Sequence, residues 1–417
     1  RSRVKVRAKA RVDLRSRNAV GGHVGGVVRI DQAFHWQRNR DPMRAKDLQA
    51  LGEQGMSWLR LTLIAGVAGL LGGAVALVMV VLMVWLCQRE WVVDDAASHG
   101  ISEVQSSRLG GVAVFLGAIA FFVVTEWAAG STKVSLSTVI SSGDKLPGYM
   151  SYVFLIALVG LWDDFVTRFQ PTSRLALVLA ISMFAFLSDA VPMTASAYDW
   201  LPLGLNNAFV LLMAGTLVVT GFVNAGNMAD GANGLLGIVG VSFLSVLLSY
   251  DSASFASMFI MALLIFLTFN VVTGRIFLGD FGAYGLSAMI AFGSLNLYAN
   301  GSVSLWFLGS LLAYPCIEMV RVIVVRAARG ASPFQASNDH LHNYLYRVLR
   351  TWGWNRIVAN STTGCFLGSV SALLPASLVL LGVFDLGNTI IWGCYFAMYV
   401  MLHLSFVAQL ERALNEK

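Results

Sequence analysis

The chain has 417 residues, 57% of them hydrophobic and only 12% charged, with a formal net charge of +6. A water-soluble globular domain is charged at about a quarter of its positions, so this composition excludes that class and places the chain among membrane proteins. Cys87, Cys316, Cys365 and Cys394 all fall in apolar runs without CxxC spacing, and they read as small packing residues.

Residues 1–60 hold 14 of the 29 Lys and Arg against five acids, a balance of +9; the remaining 15 basic and 18 acidic residues give −3. The positive charge therefore belongs to the amino-terminal segment. "RSRVKVRAKARVDLRSRNAVGG" has no apolar core to bury, and residues 1–57 are expected to be a basic, disordered tail. It lacks the apolar core and cleavage site of a signal peptide. Nucleic-acid binding is not expected of it, and Met43 or Met56 is a candidate translation start. Residues 58–412 form the membrane domain.

Apolar runs long enough for membrane helices follow in order near 59–87, 109–128, 148–162, 174–190, 206–223, 234–250, 255–272, 282–299, 303–325, 360–382 and 388–408. They are continuous rather than alternating, which argues for helices and against a barrel. The expectation is an all-α, polytopic helical bundle of about 11 transmembrane helices. Of the 15 basic residues beyond the tail, 13 fall in or beside loops of one parity, which the positive-inside rule makes cytoplasmic.

Five polar clusters fall in those same loops. They are "SSRLGG" (106–111), "WDDFVTRFQPTSR" (162–174), "NAGNMADGANG" (224–234), "GRIFLGDFGAYG" (274–285) and "SPFQASNDHLHNYLYR" (332–347). Five clusters at one membrane face suggest a single site. A carboxylate at a partly buried helix end is costly without a cationic partner. Asp163, Asp164, Asp230 and Asp280, with no lysine among them, therefore suggest Mg²⁺ or Mn²⁺. Asn224 and Asn227 add oxygen donors, and backbone N–H groups after the Asn/Gly segment suit a phosphate or a base edge. In "HLHNYLYR", read as a helix, His340 and Arg347 share a face and His342 points elsewhere. His99 and His403 read as solvent-facing residues, and Asp94 and Asp95 as a loop face.

The segments "SRLGGVAVFLG", "GLWDDFVTRFQPTSRL", "NAGNMADGANGL", "FLGDFGAYGLS" and "SPFQASNDHLHN" resemble, in order and spacing over about 90–410, the polyprenyl-phosphate N-acetylhexosamine-1-phosphate transferase family (glycosyltransferase family 4). Eleven helices look more like its O-antigen and enterobacterial-antigen branch than its ten-helix peptidoglycan branch. The resemblance implies transfer of a sugar 1-phosphate from a UDP-N-acetylhexosamine to undecaprenyl phosphate, with release of UMP, at the cytoplasmic side of a bacterial inner membrane. It implies Mg²⁺ bound by Asp280 with Asn227 nearby, Asp163 as base or orienter of the lipid phosphate, and Asp164 as its metal-side neighbour. Asn224, Asp230 and Asn233 would lie at the nucleotide, Phe277 would stack on uracil, and Arg108 would stand at the lipid-phosphate entry. His340 and His342 would meet the diphosphate.

The sequence departs from the family at Ala336, Ser337 and Asn338, where Pro-Asp-Arg is usual, and at Asn343, where a histidine is usual. Arg347, Arg326 or Arg329 would have to replace the missing arginine. A peptidoglycan-branch phospho-MurNAc-pentapeptide transferase, an inactive scaffold-like relative and a secondary transporter are the competing readings. The donor is expected to be UDP-GlcNAc or a 6-deoxy relative, and a homodimer in the lipid bilayer is compatible with the sequence.

Overall fold

The computed structural model describes residues 45–88, 107–128, 146–165, 170–191, 207–251, 254–301, 303–330, 332 and 339–416. Of the sequence expectations, those on residues 1–44, on Asp94, Asp95 and His99, and on Ala336, Ser337 and Asn338 lie outside the described residues. Among the described residues there is no strand, and only an isolated parallel bridge joins Ser107 to Ile276. The protein is an all-α, multi-pass membrane protein.

The helices, in chain order, are α1 (Ala45–Gln88), α2 (Gly110–Ala128), α3 (Met150–Phe165), α4 (Pro171–Leu187), α5 (Ala208–Ala229), α6 (Leu235–Asp251) and α7 (Ser254–Thr273). They continue with α8 (Gly279–Ala299), α9 (Leu305–Leu311), α10 (Ala313–Ala328), α11 (Leu341–Thr351), α12 (Arg356–Gly368), α13 (Leu374–Leu380) and α14 (Thr389–Asn415). Each of the eleven apolar runs is helical. By length and hydropathy, six helices qualify as membrane spans among the described residues, and a seventh if α9 and α10 count as one.

Two departures have local causes. Helix α1 begins at Ala45, so residues 45–57, expected to be tail, are helical; "AKDLQALGEQ" is made largely of strong helix formers. The ninth run is broken at Leu312 with a bend of 78° between α9 and α10. Pro315 has no N–H to give the Leu311 carbonyl, so the helix cannot continue straight through this turn. Asn207, Asn355 and Asn388 start α5, α12 and α14, each accepting the N–H three residues on, as good N-caps do.

Helix α8 is the centre of the bundle, with 16 buried residues, and α2, α3 and α5 pack around it. It is rich in Gly, Ala and Ser, because a helix wrapped by protein needs close approach more than lipophilicity. Helix α7 packs on α2 and α6, α4 on α3 and α5, and α14 on α9 and α11. Every polar cluster is therefore carried on a helix end that the α8 hub can gather.

Candidate active site

The "FLGD" segment is fixed before any side chain is considered. Ser107 donates to the Arg275 carbonyl at 2.9 Å and Phe277 returns an N–H to Ser107 at 2.9 Å. Gly110 and Gly111 donate to the carbonyls of Phe277 and Leu278 at 3.0 and 2.9 Å. Gly279 has φ +67°, a region only glycine enters freely, and a Cβ there would strike the Arg108 carbonyl. The first and fourth clusters thus form one backbone unit that sets Arg108 beside the start of α8 and leaves the Phe277 ring half-buried.

Asp164, at the end of α3, caps α8 from outside. Its Oδ1 accepts the Asp280 N–H at 3.1 Å and its Oδ2 the Phe281 N–H at 3.0 Å. These are orphan donors of a helix terminus, where the macrodipole favours a carboxylate. Arg108 Nη1 lies 4.0 Å from the same Oδ1. Asp164 therefore holds the backbone at Asp280 in place.

Asp163, its neighbour, pairs with Arg174 Nη1, and the same guanidinium nitrogen stands 3.9 Å from Asp280 Oδ2. Arg174 sits in the first turn of α4, just after Pro171. The sequence reading counted it only for orientation; the structure makes it the cation between two site carboxylates. The acids, which have no lysine among them, thus have two arginines for partners.

Asp230 ends α5 as its C-cap. Burial, with the charge of Asp164 nearby, holds its carboxyl well above the usual carboxylate range, against the opposing pull of Arg108. Asp230 therefore belongs to the same electrostatic cluster. Asn224 donates its amide to the Thr220 carbonyl one turn back at 2.8 Å, while the half-buried Asn227 side chain makes no hydrogen bond among the described residues.

Asn233 is held by the protein itself. It is 1% exposed, its Nδ2 donates to Ser361 Oγ at 3.0 Å, its Oδ1 accepts from Asn360 at 3.4 Å, and its N–H donates to Asn360 Oδ1 at 3.1 Å. Asn270 ties the same loop to the α7 end, accepting the Gly234 N–H at 2.6 Å and donating to Ile276 O at 2.7 Å. A buried amide is kept where every polar atom finds a partner. Part of the asparagine richness of this loop is thus anchorage to α7 and α12.

The histidines join this loop. A Cβ on Gly231, the residue after Asp230, would lie 3.0 Å from His342 Nε2. His342 is 3% exposed, and its Nδ1 shares a hydrogen bond with the Tyr314 hydroxyl at 2.9 Å. Burial first, then the adjacent His340 ring, push its pKa down to about 3. His340 and His342 do not diverge as expected: their rings are stacked, with centroids 5.2 Å apart and planes 5° from parallel. His340 is the N-cap of α11, outside the helical phase assumed for it.

Arg347 does not join them, being the exposed residue in the otherwise buried stretch 341–349. Arg329 is paired with Asp339 at 3.1 Å, and Arg326 is buried. Arg321 reaches the same residue, donating to the Asp339 carbonyl. His403, read as solvent-facing, is 4% exposed and 2.9 Å from Glu318 Oε2. Glu318, an acid inside an apolar run, was the sequence signal for this part of the site.

The structure therefore gathers all five clusters: SRLGG on FLGD, DD on FLGD, and the Asp230 loop against His342. Among the described residues, no three His, Cys, Asp or Glu side chains form a metal site by themselves. The donor set fits a magnesium ion of another type, in which one or two carboxylates are completed by water and substrate phosphates. Asp280 is the partly exposed carboxylate, 23% accessible at its side chain, and the uncommitted Asn227 amide is a further oxygen donor.

Residues 146–298 match the family model described as glycosyl transferase family 4. The chain is similar to phospho-N-acetylmuramoyl-pentapeptide-transferases. That of Fervidobacterium nodosum is 28% identical over 231 residues, 52% of this chain and 73% of the relative. That of Streptococcus agalactiae serotype Ia is 27% identical over 185 residues, 40% of this chain and 53% of the relative. That of Streptococcus pyogenes serotype M49 is 26% identical over 222 residues, 49% and 62% respectively. The chain thus spans from about half to three quarters of the length of these relatives. The matched segment carries the acidic half of the site, and the histidine loop lies beyond it.

Proposed function

We propose that the chain, whose residues 146–298 match the model of glycosyl transferase family 4, is a member of that family and moves a sugar 1-phosphate from a UDP-N-acetylhexosamine to undecaprenyl phosphate at the cytoplasmic face of a bacterial inner membrane. The observation that carries this reading is the convergence of Asp163, Asp164 and Asp280 with Arg108 and Arg174 at the start of α8, with Asp230 in the same field and the adjacent Gly231 turn against His342.

In this reading a lipid-phosphate oxygen attacks the β-phosphorus of the donor. The new P–O bond forms as the α–β anhydride bond breaks, and the electron pair leaves on UMP. A phosphate is already a competent nucleophile, so positioning and charge neutralisation dominate. Arg108 and Arg174 would meet phosphate oxygens. Asp163, held by Arg174, would orient the acceptor; a carboxylate paired in this way is a poor nucleophile, which favours single displacement over an aspartyl-phosphate. Asp280 with Asn227 would hold Mg²⁺, which when bound neutralises the diphosphate charge. Phe277 would stack on uracil, and His340 and His342 would meet the diphosphate. An apolar groove of about 360 Å³ between α2 and α3 supports a lipid acceptor. Its lining includes Leu109 and Phe281, next in the chain to Arg108 and Asp280.

A second reading is favoured by the relatives, whose names give phospho-N-acetylmuramoyl-pentapeptide as the group transferred. Incubating the protein with undecaprenyl phosphate and each of UDP-GlcNAc, a UDP-6-deoxy-HexNAc and UDP-MurNAc-pentapeptide separates the two. UMP release with a HexNAc donor supports the first reading, release with the pentapeptide donor alone supports the second, and release with none supports an inactive relative.

A further inference from the structure

Glu318 lies in α10, 3% exposed, and gathers donors from three helices. Its Oε1 accepts the Leu341 N–H at 2.9 Å and stands 3.5 Å from His340 Nδ1. Its Oε2 accepts from Arg321 Nε at 3.1 Å and lies 2.9 Å from His403 Nε2 on α14. A carboxylate has about four acceptor directions; the Leu341 N–H, two Arg321 nitrogens and His403 use them, so Glu318 has nothing left to offer a ligand. Alone in an apolar run it would be costly; with this set of partners it is a fixed anchor.

The anchored object is the start of α11. His340 is its N-cap yet makes no side-chain capping bond, and Leu341 is its first residue. Glu318 supplies the missing cap from another helix, and a helix start so held fixes the direction of the next residues. Tyr314, one turn before Glu318 on α10, holds His342 Nδ1. One face of α10 thus grips both histidines, one through the backbone N–H that follows it and the other through a phenol.

We propose that Glu318 is the positioning residue of the histidine pair, with His403 and Tyr314 completing the anchor, so that the His340–His342 stack is presented to the substrate diphosphate in one orientation. This rests on the reading above of those histidines as diphosphate contacts.

The test uses the full chain in detergent with undecaprenyl phosphate and the UDP-sugar that the wild type turns over. Initial rates and thermal unfolding are measured for Glu318→Gln, His403→Asn, His340→Ala and the Glu318→Gln/His340→Ala double variant. A displacement of the pair by about 1 Å lowers kcat/KM by about 100-fold in Glu318→Gln, and about 10-fold in His403→Asn, which keeps the Arg321 and Leu341 partners. Residues acting through one another are non-additive, so the double variant should be within about two-fold of His340→Ala. A folded Glu318→Gln with wild-type kcat/KM beside a crippled His340→Ala overturns the positioning role alone, as do single effects that multiply in the double variant. A fully active His340→Ala overturns the histidine reading and the positioning role together. If Glu318→Gln does not fold, a folded His403→Asn with wild-type kcat/KM overturns the proposal and a loss near ten-fold upholds it.

Discussion

Replacing Asp164 by asparagine separates anchoring from chemistry. In the native protein its two oxygens hold the first N–H groups of α8, at 3.1 and 3.0 Å. Hydrogen bonds to a charged acceptor contribute about 1.5–3 kcal/mol each. Asparagine keeps one oxygen, turns an NH₂ toward the other N–H, and gives up the charge that favours a helix N-terminus, itself about 0.3–1 kcal/mol at an exposed site. The expected loss is about 2–4 kcal/mol, the sum of one charged bond and the dipole contribution. Because the freed N–H is that of Asp280 or Phe281, the loss falls on the site backbone, and UMP release should drop by about 100-fold, as for a 1 Å misplacement. Thermal unfolding in detergent and UMP release are measured on the same preparation. Both should fall. Asp164→Asn that melts with the wild type and has lost only activity would show that Asp164 acts on substrate directly, and a variant unchanged in both would remove it from the site.

Gly160 on α3 packs so closely on α8 that a Cβ would strike the Asp280 carbonyl. Gly160→Ala should cost about 1–3 kcal/mol by overpacking and lower UMP release, while Gly73→Ala, with nothing within 4 Å, changes neither; an active, stable Gly160→Ala contradicts the packing. Asn233→Ala removes the side-chain hydrogen bonds to Ser361 Oγ and from Asn360 Nδ2, at about 0.5–1.5 kcal/mol each, so it should lower the melting temperature without the rise in KM for the nucleotide sugar that a substrate contact would give. His342, held neutral by burial with a pKa pushed down to about 3, carries no charge at any working pH. The unfolded histidine takes up a proton near pH 6.5 and the folded one does not, so its contribution to stability is present above pH 6.5 and declines as pH falls toward 3. His342→Asn should therefore lower the pH–rate profile above pH 5 without shifting it, and a displaced acidic limb would contradict the buried, neutral ring.

The helices were legible because apolar runs of membrane length admit little else. What the sequence hid was the difference between a helix that meets lipid and one that meets protein: α8 is the most central element, yet Gly, Ala and Ser fill much of it. The clusters were legible as clusters, since Asp, Asn and Gly at the ends of apolar helices need a reason to be there. The division of labour within them was not. Asp163 and Asp164 are adjacent in the chain, yet one faces Arg174 and the other caps α8, because successive helical residues are turned about 100° apart. Asn224, Asn227 and Asn233 look equivalent in "NAGNMADGANGL", but Asn233 is used by α12 and only Asn227 is uncommitted. Glu318 was overlooked and His403 was read as solvent-facing because they lie some 85 residues apart, and each looks incidental until the fold joins them.

The central claim is that Asp280, at the head of α8 and beside Asp163 and Arg174, is where sugar-phosphate transfer is centred. UMP release from UDP-GlcNAc or UDP-MurNAc-pentapeptide, whichever the wild type accepts, should be measured in Asp280→Ala with undecaprenyl phosphate and saturating Mg²⁺. Asp280 lends its backbone, not its side chain, to the Asp164 cap, so the variant should fold and melt near the wild type while release falls by at least about 100-fold. Release at the wild-type rate from folded Asp280→Ala would contradict the account.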